Sequence, residues 1–401
     1  MIAFVSNQER SAMQQTGPSG LAYAVTASIA LLCGAGFALA AEPKLPNPLS
    51  WTAYDVGSAG YNQSVAIGKA LKDTHGIDLR VLPGKNDVSR NIPLRAGKVE
   101  FSATGVGASF MAQEGVFDFG KKAWGPQEIR LLLLASADAN LSVGVAADLG
   151  IKEIKDLKGK RVAWVVGSPS LNQNVEAILA FGGLTWADVK KVEFPGFAQS
   201  WDGIKNNQVD AAFAQTTSGK AYEVANSPRG LFWPPMPPED TAGWARLKAI
   251  APFFQPNAGT EGANMSKDKP HIGPTYPYPV LIAYAEQKDD MVEAMTKAMV
   301  ELFPQYKGAS PGIDGWALEK QNFEWLVPYH PGAIAYFKSI GKWTPAADAN
   351  NQKLIKRQGV LKAAWAEMNA KNIADEKAFE TEWLKVRAEK LKAAGFDVIF
   401  N

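Results

Sequence analysis

With 401 residues, 46% of them hydrophobic and 20% charged, the chain can bury a large core and needs more than one compact unit. Disordered, collagenous and small disulfide-stapled architectures are thereby excluded. Forty-two Lys and Arg against 40 Asp and Glu leave a formal charge of +2, so no global basic field exists to gather nucleic acid or anionic lipid. Three histidines (His75, His271, His330) and one cysteine give no zinc-ligand spacing and no Cys/His nucleophile pair, so neither metal, cofactor nor catalytic residue is expected.

In chain order, Leu21 to Ala40 is an apolar run that closes on Ala38-Leu39-Ala40, a small-x-small peptidase site. It predicts a secretory signal over residues 1–40, with Cys33 inside it and a periplasmic location for the rest. Short apolar strands then alternate with helix-period segments, the α/β pattern. Strands are predicted at Ile77–Leu82, Val99–Ala103, Ile129–Ser136, Arg161–Val166, Val209–Ala214 and Val280–Tyr284. Helices are predicted over Tyr61–His75, stopped at Gly76, and Asn172–Phe181, stopped at Gly182 and Gly183, glycines that suit a left-handed position past a helix end. Met291, Met295 and Met299 recur at helical spacing in Asp289–Phe303, where core packing is the expected role.

Three places carry a strand into a Gly/Ser/Asn loop and then a helix: Asp55–Asn62, Pro83–Asn91 and Gly167–Asn172. Backbone N–H groups at a helix start, with short hydroxyl or amide side chains, suit an anionic oxygen. Ordinary turns and caps use the same residues. Neither a dinucleotide fingerprint nor a P-loop ending is present.

These residues resemble a known family over about Trp51 to Gly341. Gly57-Ser58-Ala59-Gly60-Tyr61, Arg95–Phe101, Gly150–Val162, Asn206–Phe213, Ala258-Gly259-Thr260 and above all His330-Pro331-Gly332-Ala333 with Tyr336-Phe337 and Gly341 are similar to the extracytoplasmic substrate-binding receptors of TRAP transporters, TAXI subgroup. The resemblance implies a two-lobed, type II periplasmic-binding-protein fold with a ligand cleft between the lobes. Lobe I would span 41–139 and 276–341, lobe II 140–275, and a C-terminal helical extension 342–401. His330 reads as a helix start with Pro331 in the first turn rather than as a base.

The resemblance further implies a monomeric receptor, not an enzyme, that traps a small organic anion such as glutamate, a dicarboxylate or a 2-oxo acid. It would deliver that solute to integral TRAP subunits. An ABC importer and a membrane signalling protein are the alternative partners. The expected ligand contacts are Ser58 and Tyr61 in the first loop, Asn86 and Arg90 in the second, and Thr104 after the next strand. Lobe II would add Ser168, Ser170, Asn172, Gln215 and Thr217, with Trp201 as a floor. Arg90, if it points inward, would clamp a carboxylate through two parallel hydrogen bonds. The segment Leu231–Pro238 reads as a stiff covering loop. Beyond Gly341, Leu354, Leu361, Trp365 and Met368, then Phe379, Trp383 and Val386, predict two amphipathic helices that either brace the body or dock a partner.

Overall fold

The computed structural model describes residues 45–400; the predicted signal lies outside them. No helix among the described residues is long and apolar enough to cross a membrane.

Two sheets organise the molecule. The first is built from β1 (Leu49–Tyr54), β2 (Leu79–Gly84), β3 (Phe101–Thr104), β4 (Ile129–Leu134) and β12 (Val280–Tyr284), in the order β2-β1-β3-β12-β4. β1 is parallel to β2 and β3, whereas β12 is antiparallel to both of its neighbours. The second contains β5 (Leu141–Ala146), β6 (Arg161–Val165), β7 (Lys190–Phe194), β8 (Ala211–Gln215) and β9 (Leu231–Phe232), ordered β7-β6-β8-β5-β9. The two orders are equivalent. In each, the fourth place is taken by an antiparallel strand that has just crossed from the other half: β5 on the outward crossing, β12 on the return. This is the type II periplasmic-binding-protein arrangement. A smaller antiparallel pair, β10 (Gln255–Gly259) and β11 (His271–Thr275), precedes the return.

The crossings run side by side. Ala135 N donates to Pro279 O (2.9 Å), Tyr278 N to Ala135 O (2.8 Å) and Thr275 Oγ1 to Ala139 O (2.8 Å). Few backbone torsions need change for one sheet to swing against the other, which is the geometry of a hinge.

Helices pack along these strands. The N-terminal half carries α1 (Ala59–His75), α2 (Asp87–Arg95) and the single turn α3 (Ala112–Glu114); the second sheet is flanked by α4 (Pro169–Phe181), α5 (Phe197–Lys205), α6 (Gly219–Ala225) and α7 (Thr241–Ile250). After β12 come α8 (Asp289–Glu301), α9 (Phe303–Tyr306), α10 (Pro331–Ser339), α11 (Pro345–Ala370) and α12 (Glu376–Ala393). Helix α1 ends where expected, at Gly76 with φ +69° and its N–H on Lys72 O. At the end of α4 only Gly183 is left-handed (φ +72°), because Gly182 closes the helix at φ −77°. Met295 and Met299 are core residues of α8. Trp233 and Met236 of the proline-rich stretch are buried, the indole N–H on Ala263 O at 2.9 Å.

His330 is the N-cap of α10: its Nδ1 accepts from Gly332 N at 3.2 Å, and Pro331 takes the first helical position. Gly332 lies against the start of α8, where a Cβ would stand 2.2 Å from Asp289 O. The imidazole is fully buried, and burial, only partly opposed by Asp289, lowers its pKa to about 4. An unfolded histidine protonates near pH 6.5, so below that pH the unfolded chain takes up a proton that the folded chain refuses. Stability should therefore fall from pH 6.5 toward pH 4 by on the order of 3 kcal/mol at this group. His330→Asn, which keeps a capping oxygen, should flatten that part of the urea-stability profile against pH; an unchanged slope would assign the loss to other groups.

Helices α11 and α12 form an antiparallel pair with Leu361, Ala364, Met368, Phe379, Trp383, Val386 and Leu391 buried between them and the body. The Trp365 and Trp383 rings meet edge to face, 4.7 Å between centroids. Polar contacts fasten the pair: Trp383 Nε1 donates to Gly115 O (2.6 Å) and Gln358 Nε2 to Gln113 Oε1 (2.8 Å). Of the two roles expected for these stripes, the brace accounts for their burial.

Candidate functional site

The loops singled out in the sequence converge where the chain crosses between sheets. Asp87, first residue of α2, is fully buried and anchors them. Its carboxylate pairs with the Arg90 guanidinium, and it also accepts from Ser170 N (2.8 Å) and Ser168 Oγ (3.2 Å) at the start of α4. Arg90 is equally buried: Nε donates to Thr104 Oγ1 (3.2 Å), and the guanidinium lies over the Tyr54 ring, 3.5 Å from its centroid. The Tyr54 hydroxyl hydrogen bonds Ser168 Oγ at 2.5 Å.

Further bonds span the same gap. Asp55 Oδ2 accepts from Ala198 N (3.0 Å) at the start of α5; Asn86 Nδ2 donates to Val166 O (3.0 Å), Val88 N to Gly167 O (3.2 Å), Phe197 N to Lys85 O (3.1 Å) and Ser218 Oγ to Gly57 O (3.0 Å). The lobes are therefore closed on one another.

The closure needs a glycine. A Cβ on Gly107 would stand 2.2 Å from Asp87 Oδ2 and 2.7 Å from Ser170 Cβ, so Gly107→Ala must displace the carboxylate from α4. A loss of about 1–3 kcal/mol is expected in a urea melt, together with a larger radius of gyration in solution scattering. Wild-type compactness in that variant would mean the contact is dispensable.

Closure leaves a gap of only ≈ 30 Å³, room for a water or two until the lobes part. Lobe I supplies Tyr54, Ser58, Ala59 and Gly105; lobe II supplies Leu141, Ser170, Leu171, Phe197, Phe213, Ala214, Gln215 and Ser218; the return crossing adds Tyr276 and Tyr278. Among the described residues, no Asp, Glu, Lys, Arg or His lines it. Burial raises the pKa of Tyr54 and Tyr276 far up and pushes Tyr278 up to about 12, so these walls stay neutral hydroxyls at physiological pH.

Of the residues expected to meet a ligand, Ser58, Ser170 and Gln215 share the cavity wall. Gln215 is held there by Tyr278 O, to which Nε2 donates (3.2 Å), and by Thr217 Oγ1, which donates to its Oε1 (3.0 Å). Thr104, Ser168 and Thr217 are buried immediately behind, and Asn86 bridges the lobes from the cavity's outside.

Three placements differ from expectation. Tyr61 lines a separate groove between α1 and the segment Gln305–Pro311 instead of the cavity. Asn172 closes both of its amide groups on Val165 N and O (2.9 Å each), tying α4 to β6. Trp201 is no floor: it is fully buried behind β8, its indole donating to Phe213 O (3.1 Å), with Phe197 and Trp233 around it. Arg90 does point inward, but its charge is met by Asp87 instead of standing open for a carboxylate. Sequence reasoning missed Tyr54, Asp87, Phe213, Tyr276 and Tyr278. The alternation Tyr276-Pro277-Tyr278-Pro279 was the available signal for two of them.

No group of His, Cys, Asp and Glu able to hold a metal occurs among the described residues. In fold, the chain is similar to a protein from Bordetella bronchiseptica RB50 (18% identity, 77% of this chain and 82% of that one, TM-score 0.43). It is also similar to the alkanesulfonate-binding protein SsuA from Xanthomonas axonopodis pv. citri bound to MOPS (14% identity, 85% and 98%, TM-score 0.43). A third likeness is to an amino acid ABC transporter substrate-binding protein, AbpA, from Streptococcus pneumoniae bound to L-arginine (13% identity, 68% and 94%, TM-score 0.39). At such identities a likeness reaches no further than fold. The sequence of residues 55–341 matches the model of the NMT1-like family, and the chain belongs to that family.

Proposed function

We propose that the chain is a periplasmic solute receptor: it captures a small organic molecule between its lobes and passes it, chemically unchanged, to a membrane transporter. The observation that carries this reading is the cavity at the double crossing between two sheets of equivalent order. Parting of the lobes would widen this space and closure would shrink it, which couples binding to a change of shape that a membrane partner can sense.

Two transporter classes are in play. The motifs around His330 support TRAP subunits, powered by an ion gradient. Structural neighbours, among them a substrate-binding protein of an ABC transporter, support an ATP-driven importer, and we take that as the preferred partner. Right-side-out membrane vesicles, given the purified receptor and a radiolabelled solute extract on the outside, separate the two. Uptake that needs internal ATP and survives ionophores collapsing the proton and sodium gradients supports the ABC reading, and uptake abolished by those ionophores supports TRAP. Uptake that ignores the receptor would sink the receptor reading itself.

A further inference from the structure

Resting on the receptor reading, we propose that the solute held between the lobes is uncharged: a small molecule with an apolar body and one or two hydroxyl, carbonyl or amide groups.

Three observations converge here. The cavity wall offers aromatic faces, from Tyr54, Phe197, Phe213, Tyr276 and Tyr278, and neutral hydrogen-bonding groups, and among the described residues it offers no charge. The features that would hold an anion are already occupied by the protein itself. The α4 start receives the Asp87 carboxylate, and the α5 start receives Asp55. The guanidinium of Arg90 is neutralised by Asp87. A ligand carboxylate would therefore enter as a second negative charge beside Asp87, with one buried cation to serve both.

Desolvating such an unpaired charge costs several kcal/mol, whereas flat apolar surface against aromatic rings is favourable without compensation. A cation or a zwitterion fares no better, since the wall carries no carboxylate to receive an ammonium group.

The test uses the full chain, freed of bound solute by unfolding and refolding, and equilibrium dialysis against the soluble metabolite extract of its own cells, with retained compounds identified by mass spectrometry. The expected result is enrichment of an uncharged compound whose affinity changes by less than about twofold between low and high salt, where exposed charge attraction would be screened. Ser170→Leu, which fills the cavity, should abolish the enrichment. Should that variant fail to fold, Ala214→Val should weaken it at least tenfold. Enrichment of an anion, cation or zwitterion would overturn this inference while leaving the receptor reading intact. No enriched compound at all would overturn both.

Discussion

Glu114→Ala is expected to destabilise the chain by about 3–5 kcal/mol, the cost of leaving buried charge unpaired, and to release the C-terminal helices to proteolysis first. Glu114 is fully buried in α3, and both of its oxygens face guanidiniums of the brace. Arg357 of α11 reaches it through two bonds of 2.7 Å, and Arg387 of α12 binds Oε2 and, at 3.1 Å, the Glu114 carbonyl. Burial alone would raise the carboxyl pKa, but the two guanidiniums outweigh it and hold the group below its ordinary value. A depressed folded pKa contributes stability above the unfolded value near 4.5, and that stability is lost as pH falls through the folded value.

Alanine leaves two like charges face to face in the interior. Glu114→Gln keeps the volume and part of the hydrogen bonding, so it should cost less and should remove the acid dependence at this site. A loss under about 1 kcal/mol for alanine, or helices that stay protease-resistant, would show that apolar burial around Trp383 holds the extension without the ion pairs.

What could be read in advance follows from how local each signal is. Gly76, the His330-Pro331 cap and the fully buried run of β4 depend on their own neighbours, and all three fold as their residues dictate. Strands β7, with exposed lysines at Lys190 and Lys191, and β10, which contains Pro256 and little apolar surface, escape a hydrophobic pattern because they sit at sheet edges. Two-residue β9 has no period to read. The loops of the site were legible as helix starts, since Ser58 and Asn86 do cap α1 and α2. Which side chains meet in the cavity was not. Ser168 lies 81 residues from Asp87 and bonds it only because the lobes close. Tyr54 carries no local signal of a site role, and only the fold brings the Arg90 guanidinium over its ring. Trp201, drawn toward the cleft by its neighbours in sequence, is claimed instead by the aromatic packing of Phe197 and Trp233.

Asp87 is where fold and function are coupled most tightly, and its replacement should separate two roles. Asp87→Asn leaves Arg90 buried opposite an uncharged amide, and a loss of about 3–5 kcal/mol is expected. The same change weakens the acceptor that Ser168 Oγ and Ser170 N find across the gap, so the lobes should also open, with a larger radius of gyration and loss of solute retention. The double variant Asp87→Asn/Arg90→Met distinguishes these effects. Replacing a buried ion pair with groups of similar volume is often neutral for stability, so most of the melting temperature should return. Closure should not return, because an amide facing a helix N-terminus lacks the charge that favours that position and the Arg90 stack on Tyr54 is gone. A double variant that is stable, open and unable to retain solute identifies Asp87 as the latch between lobes. If it closes and retains solute like the wild type, then Asp87 serves only to neutralise Arg90, and closure must rest on the backbone bonds at Gly57, Lys85 and Gly167.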